Sequence, residues 1–248
     1  MLSSLDLREN RPEKCILSIV VPVYRSEEHL SQFLESYIRI EGVELIVVDG
    51  GSGADVVSLL KKYGQVISYW VSEPDNGIYD AMNKGARNSK GVFLFFMGVD
   101  DEILFDEMKC LVDCLGKENT SEMMAMPVSL NSNRIAYPNL KKSPPLLHHQ
   151  GWLTSRRIFD ACNGYSLEYA LHSDYDLMLR ARSSGGIAYY EKPVCAFRRG
   201  GRSTSGKNFV TSVKELLKIY FKNDGSIMDT QWIMFILRPL SYLIRARR

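Results

Sequence analysis

The sequence predicts an α/β fold: a Rossmann-like, mostly parallel central sheet with helices on both faces, followed by a C-terminal helical extension. Three observations carry this prediction. Apolar and amphipathic runs alternate as βαβαβαβ between residues 16 and 101, with short connections. The first run, Ile16-Leu17-Ser18-Ile19-Val20-Val21-Pro22-Val23, is nearly continuous in apolar, β-branched residues, as a strand buried on both faces requires. Polar residues collect where the strands end, which is where open parallel sheets bind ligands.

After the first strand, residues 27–40 carry Leu30, Phe33, Leu34, Tyr37 and Ile38 at helical spacing, with Ser26 at the N-cap position. A second strand over 44–48 ends in Asp49-Gly50-Gly51-Ser52. A helix over 56–63, a strand over 66–71, a helix over 77–88 and a strand over 92–97 follow, the last ending in Gly98-Val99-Asp100-Asp101. The second half is less regular. Residues 124–130 and 135–137 flank Asn131-Ser132-Asn133 in a hairpin pattern. Pro138, Pro144 and Pro145 mark a loop leading to His148-His149-Gln150-Gly151-Trp152. Residues 173–182 read as a helix closed by Gly185-Gly186. Residues 197–205 are a loop rich in Arg, Gly and Ser. Helical segments at 208–222 and 229–246 finish the chain, the second kinked or divided at Pro239. The expected organisation is one α/β domain over 15–205 and a basic amphipathic segment over 206–248.

With 248 residues, 45% of them hydrophobic, the chain can bury one large core without staples. Its five cysteines (15, 110, 114, 162 and 195) form no C-x-x-C pair and read as reduced thiols of a cytosolic protein, with Cys110 and Cys114 facing a core. Residues 1–14 mix acids and bases, unlike a signal peptide, and no run reaches the ~18–20 apolar residues of a spanning helix. A soluble or peripheral cytoplasmic protein is expected. Charge is unevenly placed: residues 1–195 hold 20 Lys/Arg and 26 Asp/Glu, net −6, and residues 196–248 hold 11 and 3, net +8. A basic tail on an acidic body suits a polyanion such as a membrane surface or a diphosphate. No groove-reading motif or basic repeat points to nucleic acid.

Asp100 and Asp101 are adjacent carboxylates after a buried strand, and the pair favours a cation. Hard oxygen ligands suit Mg²⁺ or Mn²⁺ shared with substrate phosphates. Asp101 equally fits a cap for a helix starting near Leu104. In the 72–85 block a turn opens directly into a helix, whose free amides suit an anion; a plain capped helix with a solvated Lys84 accounts for the same residues. Asp174 suits either a helix start or a general base. His148 and His149 read more simply as a polar loop wall than as metal ligands. Arg198, Arg199 and Arg202 around Gly200-Gly201 match a diphosphate clamp or a solvated basic loop.

Together these segments resemble the family 2 inverting glycosyltransferases, of GT-A fold, over about residues 16–205. The first strand through Tyr24 resembles the family's S-I-V-I-P-x-Y/F. Ile46-Val47-Val48-Asp49-Gly50-Gly51-Ser52 resembles its V-D-D/G-G-S. The 73–85 block is similar to the S-E-P-D-x-G-I-Y-D-A-M-N-K-G block of a bacterial, colanic-acid-type branch that builds O-antigen, capsule or exopolysaccharide. His149-Gln150-Gly151, Asp174-Tyr175-Asp176-Leu177 and Phe197-Arg198-Arg199-Gly200-Gly201 resemble that branch's H-Q, D-Y-D-L and F-x-x-G-G elements. The resemblance implies a nucleotide-sugar donor, a UDP-sugar by preference, and a lipid-linked saccharide acceptor. It implies Pro22 and Tyr24 at the nucleotide, and Asp49 near the base. Asp75, Asn76, Lys84, Arg198 and Arg199 would lie around the donor, and His149, Gln150 and Trp152 on the acceptor side. Asp100, with Asp101 beside it, would hold Mg²⁺ or Mn²⁺, and Asp174 would be the catalytic base. Two departures stand out: Gly98 replaces the first Asp of the family's D-x-D, and Gly50 replaces an Asp that recognises uracil in many members. No His follows Phe197 as a late metal ligand.

Rival readings are weaker in the residues. A sugar-phosphate nucleotidyltransferase carries a Gly-rich loop after strand one, where this chain has Pro22-Val23-Tyr24-Arg25. A nicotinamide enzyme needs G-x-G-x-x-G there. A non-catalytic sugar-nucleotide or glycan-binding module would keep the pocket without needing both Asp100 and Asp174. In the tail, Ile233, Ile236, Leu237, Leu240, Leu243 and Ile244 fall at helical spacing beside Arg238, Arg245, Arg247 and Arg248, as in an interfacial helix or one packed on protein. If the segment is interfacial, the full chain floats with anionic liposomes and a 1–225 form does not. Equal flotation of the two removes that reading.

Overall fold

The computed structural model describes residues 3–7, 10–118, 120–131, 134–139, 148–197 and 208–223. The chain opens with β1 (Ser3–Asp6) and enters the predicted alternation: β2 (Leu17–Val23), α1 (Glu27–Ser36), β3 (Val43–Asp49), α2 (Ala54–Lys62), β4 (Tyr69–Ser72), α3 (Ile78–Asn88) and β5 (Phe93–Phe96). Then come β6 (Glu102–Ile103), α4 (Phe105–Leu115), β7 (Met123–Ala125), β8 (Val128–Asn131) and β9 (Arg134–Ala136). A 3-10 turn, His149–Gly151, leads into β10 (Trp152–Ser155), α5 (Arg156–Ala161), α6 (Ser173–Arg182), β11 (Ala188–Tyr189), β12 (Cys195–Ala196) and α7 (Phe209–Asn223).

The main sheet has the order β1-β4-β3-β2-β5-β10-β7-β11, and its four predicted strands, β4-β3-β2-β5, are parallel. The added strands make the sheet mixed, since β1 runs antiparallel to β4, and β10 antiparallel to both β5 and β7. A second sheet, β6-β12-β8-β9, stands beside it. All seven β2 residues are buried, and successive residues serve opposite faces. Ile19 and Val21 join a cluster with Leu30, Phe33 and Leu34 of α1, Val56 and Leu60 of α2, and Met108 and Leu111 of α4. Val20 joins Tyr79 and Met82 of α3, Phe159 of α5 and Leu177 of α6. The period-2 geometry of a strand therefore turns one apolar run into two cores. α7 closes a third cluster, placing Leu216, Ile219 and Tyr220 with Trp152, Tyr169 and Met178.

Several expectations change in detail. The first helix ends at Ser36, which leaves Ile38 exposed, and Ser26 Oγ pairs with His29 Nδ1 at 3.1 Å instead of capping a backbone amide. The hairpin is β8–β9 alone, because Pro127, with no N–H to donate, separates it from β7 in the main sheet. Cys110 is exposed and Cys114 half-buried, so they do not both face a core; all five cysteines are free. Arg198, Arg199, Arg202 and the 229–246 helix lie outside the described residues. Among the described residues no helix is long and apolar enough to cross a membrane.

At the amino ends of the strands, buried Glu44 accepts from Ser18 Oγ at 2.7 Å, Gly91 N at 3.0 Å and Arg11 Nη1 at 2.7 Å, and from Lys90 N. Gly85 explains the tight seating of α3 on the sheet: a Cβ there would lie 2.3 Å from Val20 Cγ1 and 3.2 Å from Val48 Cγ2. Gly85→Ala should therefore cost about 1–3 kcal/mol through overpacking. A urea midpoint that falls at unchanged m-value would confirm it; an unchanged midpoint would show that α3 can shift freely.

Candidate active site

The chain passes from β2 through β3 to β4 on one side, then returns to place β5 on the other side of β2. The carboxyl ends of β2 and β5 thus flank a switch point, where the two crossovers diverge and leave a crevice. Pro22 marks its edge. Val20 O accepts from Met97 N at 3.2 Å, and β5 pairing ends with Val20–Phe96. Pro22, two residues on, points its donorless nitrogen to the same side, where no strand remains to miss the bond.

Asp49, fully buried at the end of β3, is consumed within the protein. It accepts from Ser52 N at 3.1 Å, from Ser52 Oγ, and from Ser72 Oγ at 2.6 Å, joining the β3 and β4 ends. Ser52 Oγ in turn accepts from Arg25 N at 2.7 Å, with Arg25 in the left-handed region at φ 48°. Its guanidinium lies 5.1 Å from the centre of the exposed Tyr24 ring. Gly50 faces the same spot: a Cβ there would lie 2.5 Å from Asp75 Oδ2 and 3.2 Å from Tyr24 Cδ2. Asp75 therefore occupies the space that a side chain at 50 would take.

The 73–77 turn is held by its own carboxylates. Asp75 Oδ1 accepts from Gly77 N at 2.8 Å, and Asp80 Oδ2 from Asn76 N at 3.0 Å. The amides that looked free for an anion are thus partly filled. Lys84 is not solvated either: its Nζ donates to Pro74 O at 2.9 Å and pairs with Glu73 at 2.8 Å.

On the other side of the crevice, β5 runs into a tight turn. Asp101 N donates to Gly98 O at 3.2 Å, and Asp101 Oδ2 accepts from Gly98 N at 2.9 Å and Gln150 Nε2 at 3.1 Å. Asp101 therefore pins this turn and does not cap α4, whose N-cap is Leu104. Burial pushes the Asp101 pKa up, with Asp100 adding to the rise and His149 opposing it. Asp101 Oδ1 is buried and has no hydrogen-bond partner. A Cβ on Gly98 would meet Asp100 Oδ1 at 2.6 Å, so glycine makes room for this carboxylate pair. A buried, unpartnered, hard oxygen beside a second carboxylate fits Mg²⁺ or Mn²⁺. Among the described residues no group of three His, Cys, Asp or Glu side chains forms a cage. A cleft of about 200 Å³ opens beside the pair, lined also by His29, Gln32 and Tyr37.

The His149–Gly151 turn connects this side to Asp174. His149 Nδ1 lies 3.8 Å from Asp174 Oδ2. Asp174 Oδ1 accepts from Tyr175 N at 2.8 Å and faces Tyr79 OH at 3.0 Å. The α6 N-cap is His172, so Asp174 is not the cap. Gln150 and Trp152 are both buried, the first against Asp101 and the second in the α6–α7 core. His149 thus stands near both Asp174 and Asp101, on which its charge acts, while Tyr24 and Asp75 meet at Gly50.

Residues 18–167 match glycosyl transferase family 2, more than half of the sequence. The chain belongs to that family. Asp174 lies just beyond the matched residues. An uncharacterized glycosyltransferase of Mycobacterium tuberculosis is 35% identical over 149 residues, covering 56% of this chain and 57% of that protein. A PGL/p-HBAD biosynthesis glycosyltransferase of Mycobacterium bovis is 26% identical over 199 residues, covering 75% and 78%. Among solved structures, S. aureus TarS in complex with UDP-GlcNAc superposes with a TM-score of 0.62 at 15% identity, covering 93% of this chain and 73% of TarS. A mannosyltransferase from Pyrobaculum calidifontis, in complex with GDP-Man and Mn²⁺, gives a TM-score of 0.64 at 15% identity, covering 94% and 71%. At that identity the likeness establishes the GT-A fold of this family 2 chain.

Sequence reasoning missed Arg25, Tyr79, His172 and Glu215 in the family 2 chain, because each acts through a contact distant in sequence. Burial pushes the His172 pKa below its usual 6.5, against the opposing pull of Asp174 and Glu215, and its Nε2 lies 2.7 Å from Ser212 Oγ. The folded pKa lies below the unfolded one, so this stability is present above pH 6.5 and is lost as pH falls through the folded value. Urea midpoints should drop between pH 7 and the acid limb more in the wild type than in His172→Asn. Parallel pH profiles for the two would exclude this group as the source.

Proposed function

We propose that the chain transfers a sugar from a nucleoside-diphosphate donor, a UDP-sugar by preference, to a hydroxyl of a saccharide acceptor, with inversion at the anomeric carbon. One observation carries this reading: His149 lies 3.8 Å from Asp174 Oδ2 of α6 and also acts electrostatically on Asp101, which stands beside Asp100 after β5. Family membership and the GT-A fold support it.

In this reading, the Tyr24 ring with Arg25 beside it is the platform for the base. Asp75 supplies the carboxylate that Gly50 lacks and accepts a base N–H. Asp49, Asn76 and Lys84 hold the loops around the donor. Arg198 and Arg199 are proposed at the diphosphate. Asp174 takes the proton of an acceptor hydroxyl as its oxygen bonds to the anomeric carbon from the face opposite the leaving group. The anomeric C–O bond to the diphosphate breaks, and the electron pair departs with the nucleoside diphosphate. Mg²⁺ or Mn²⁺ held by Asp100 and Asp101 supplies positive charge to that leaving group when bound. His149, 3.8 Å from Asp174, stands on the acceptor side.

The +8 charge of residues 196–248 supports a lipid-linked acceptor at a bacterial membrane surface, in the assembly of a surface polysaccharide. Asp174→Asn should lower kcat by about 10²–10⁴-fold while donor affinity, followed by calorimetry, stays within a few-fold. Turnover at the wild-type rate would remove Asp174 as the base. EDTA should abolish transfer, with recovery on adding Mn²⁺ or Mg²⁺; an undiminished rate in EDTA would remove the metal.

A further inference from the structure

α7 lies outside the matched family residues, yet it reaches the loop that carries the proposed base. Its Glu215 side chain is buried, and the carboxylate accepts three consecutive backbone amides: Ala170 N at 2.7 Å, Leu171 N at 3.0 Å and His172 N at 3.1 Å. One turn earlier on α7, Ser212 Oγ lies 2.7 Å from His172 Nε2. The next residue, Ser173, opens α6, and Asp174 follows in its first turn. The same loop is gripped from the opposite side by α3, because Tyr79 OH lies 3.0 Å from both Leu171 O and Asp174 Oδ1. A hydroxyl has one proton to donate, so the Leu171 carbonyl and the Asp174 carboxylate compete for it. Where that carbonyl sits therefore affects how Asp174 is held.

The chemistry of the clamp is specific. Three converging backbone N–H groups in the loop just before α6 form a nest that suits an anion, and here a side chain of the same chain fills it. A carboxylate offers enough lone pairs for all three donors. An amide in its place offers one oxygen and presents an NH₂ group to the remaining N–H donors. A structural anchor would need no such match between charge and three backbone donors, since Leu216, Ile219 and Tyr220 already seat α7 in the core.

We propose that Glu215 is a positioning residue that sets the 170–172 loop and through it the orientation of Asp174, which makes α7 part of the catalytic apparatus. The proposal rests on Asp174 as the base. A displacement of about 1 Å in such a group costs on the order of 10²-fold in rate. The test uses the full chain as Glu215→Gln, Glu215→Asp and Asp174→Asn, with steady-state kinetics, thermal unfolding and hydrogen exchange of the peptide covering 166–176. Glu215→Gln should lower kcat by about 10–10²-fold per folded molecule, leave donor KM within about twofold, and speed exchange of the 170–172 amides. Glu215→Asp, which keeps the charge, should recover part of both losses. The proposal is overturned if Glu215→Gln keeps wild-type kcat, or if its activity falls only in step with the folded fraction. If Asp174→Asn turns over normally while Glu215→Gln still frees the 170–172 amides, the clamp is real and the base is wrong. If Asp174→Asn is inactive while Glu215→Gln is not, the base stands and the positioning role falls.

Discussion

A carboxylate at a buried loop needs donors, and loop amides that have left a ladder need acceptors. The crevice of this chain meets both needs with the same bonds. Asp49 holds the amide of Ser52, Asp75 that of Gly77, Asp80 that of Asn76, and Asp101 that of Gly98. Glu215 does the same for three amides before α6. Each loop at the carboxyl edge is shaped by an acid carried on that loop or on a neighbouring helix. The rest of this edge depends on it: Asp101 Oδ1, buried without a hydrogen-bond partner, and Asp174 Oδ2, 3.8 Å from His149 Nδ1, stay outside those backbone bonds.

This separates two populations of acid that look alike in sequence. Asp49 and Asp100 both follow a buried strand. Asp49 meets Ser52 and Ser72, and its acceptors are filled. Asp100 follows a glycine whose missing side chain leaves room for its carboxylate. Neighbouring residues thus decide which carboxylates are filled within the protein, and the partners of Asp49 lie as far as 23 residues away.

The parallel half of the fold was legible because its signal is local: strand and helix periodicities alternate cleanly from residue 16 to 101. The strands β6, β10, β11 and β12 were not, since they span two to four residues and owe their existence to partners across the sheet. In the site, Asp100, Asp101, His149 and Asp174 stood out through motif and placement. The burial of Trp152 was not legible, because its position beside His149 and Gln150 does not reveal that its ring joins the α6–α7 core. Tyr79 and Glu215 left no local signal: one is the second residue of α3, and the other sits on an amphipathic helix where a glutamate normally meets water.

The contact between Gly50 and Asp75 ties the loop after β3 to the loop after β4. The two positions share one volume, since a Cβ at 50 would collide with the carboxylate from 75. One acid can be supplied from either loop, but not from both in this geometry. Positions 50 and 75 are therefore coupled: a side chain at 50 requires the Asp75 carboxylate, and with it the bond to Gly77 N, to turn away.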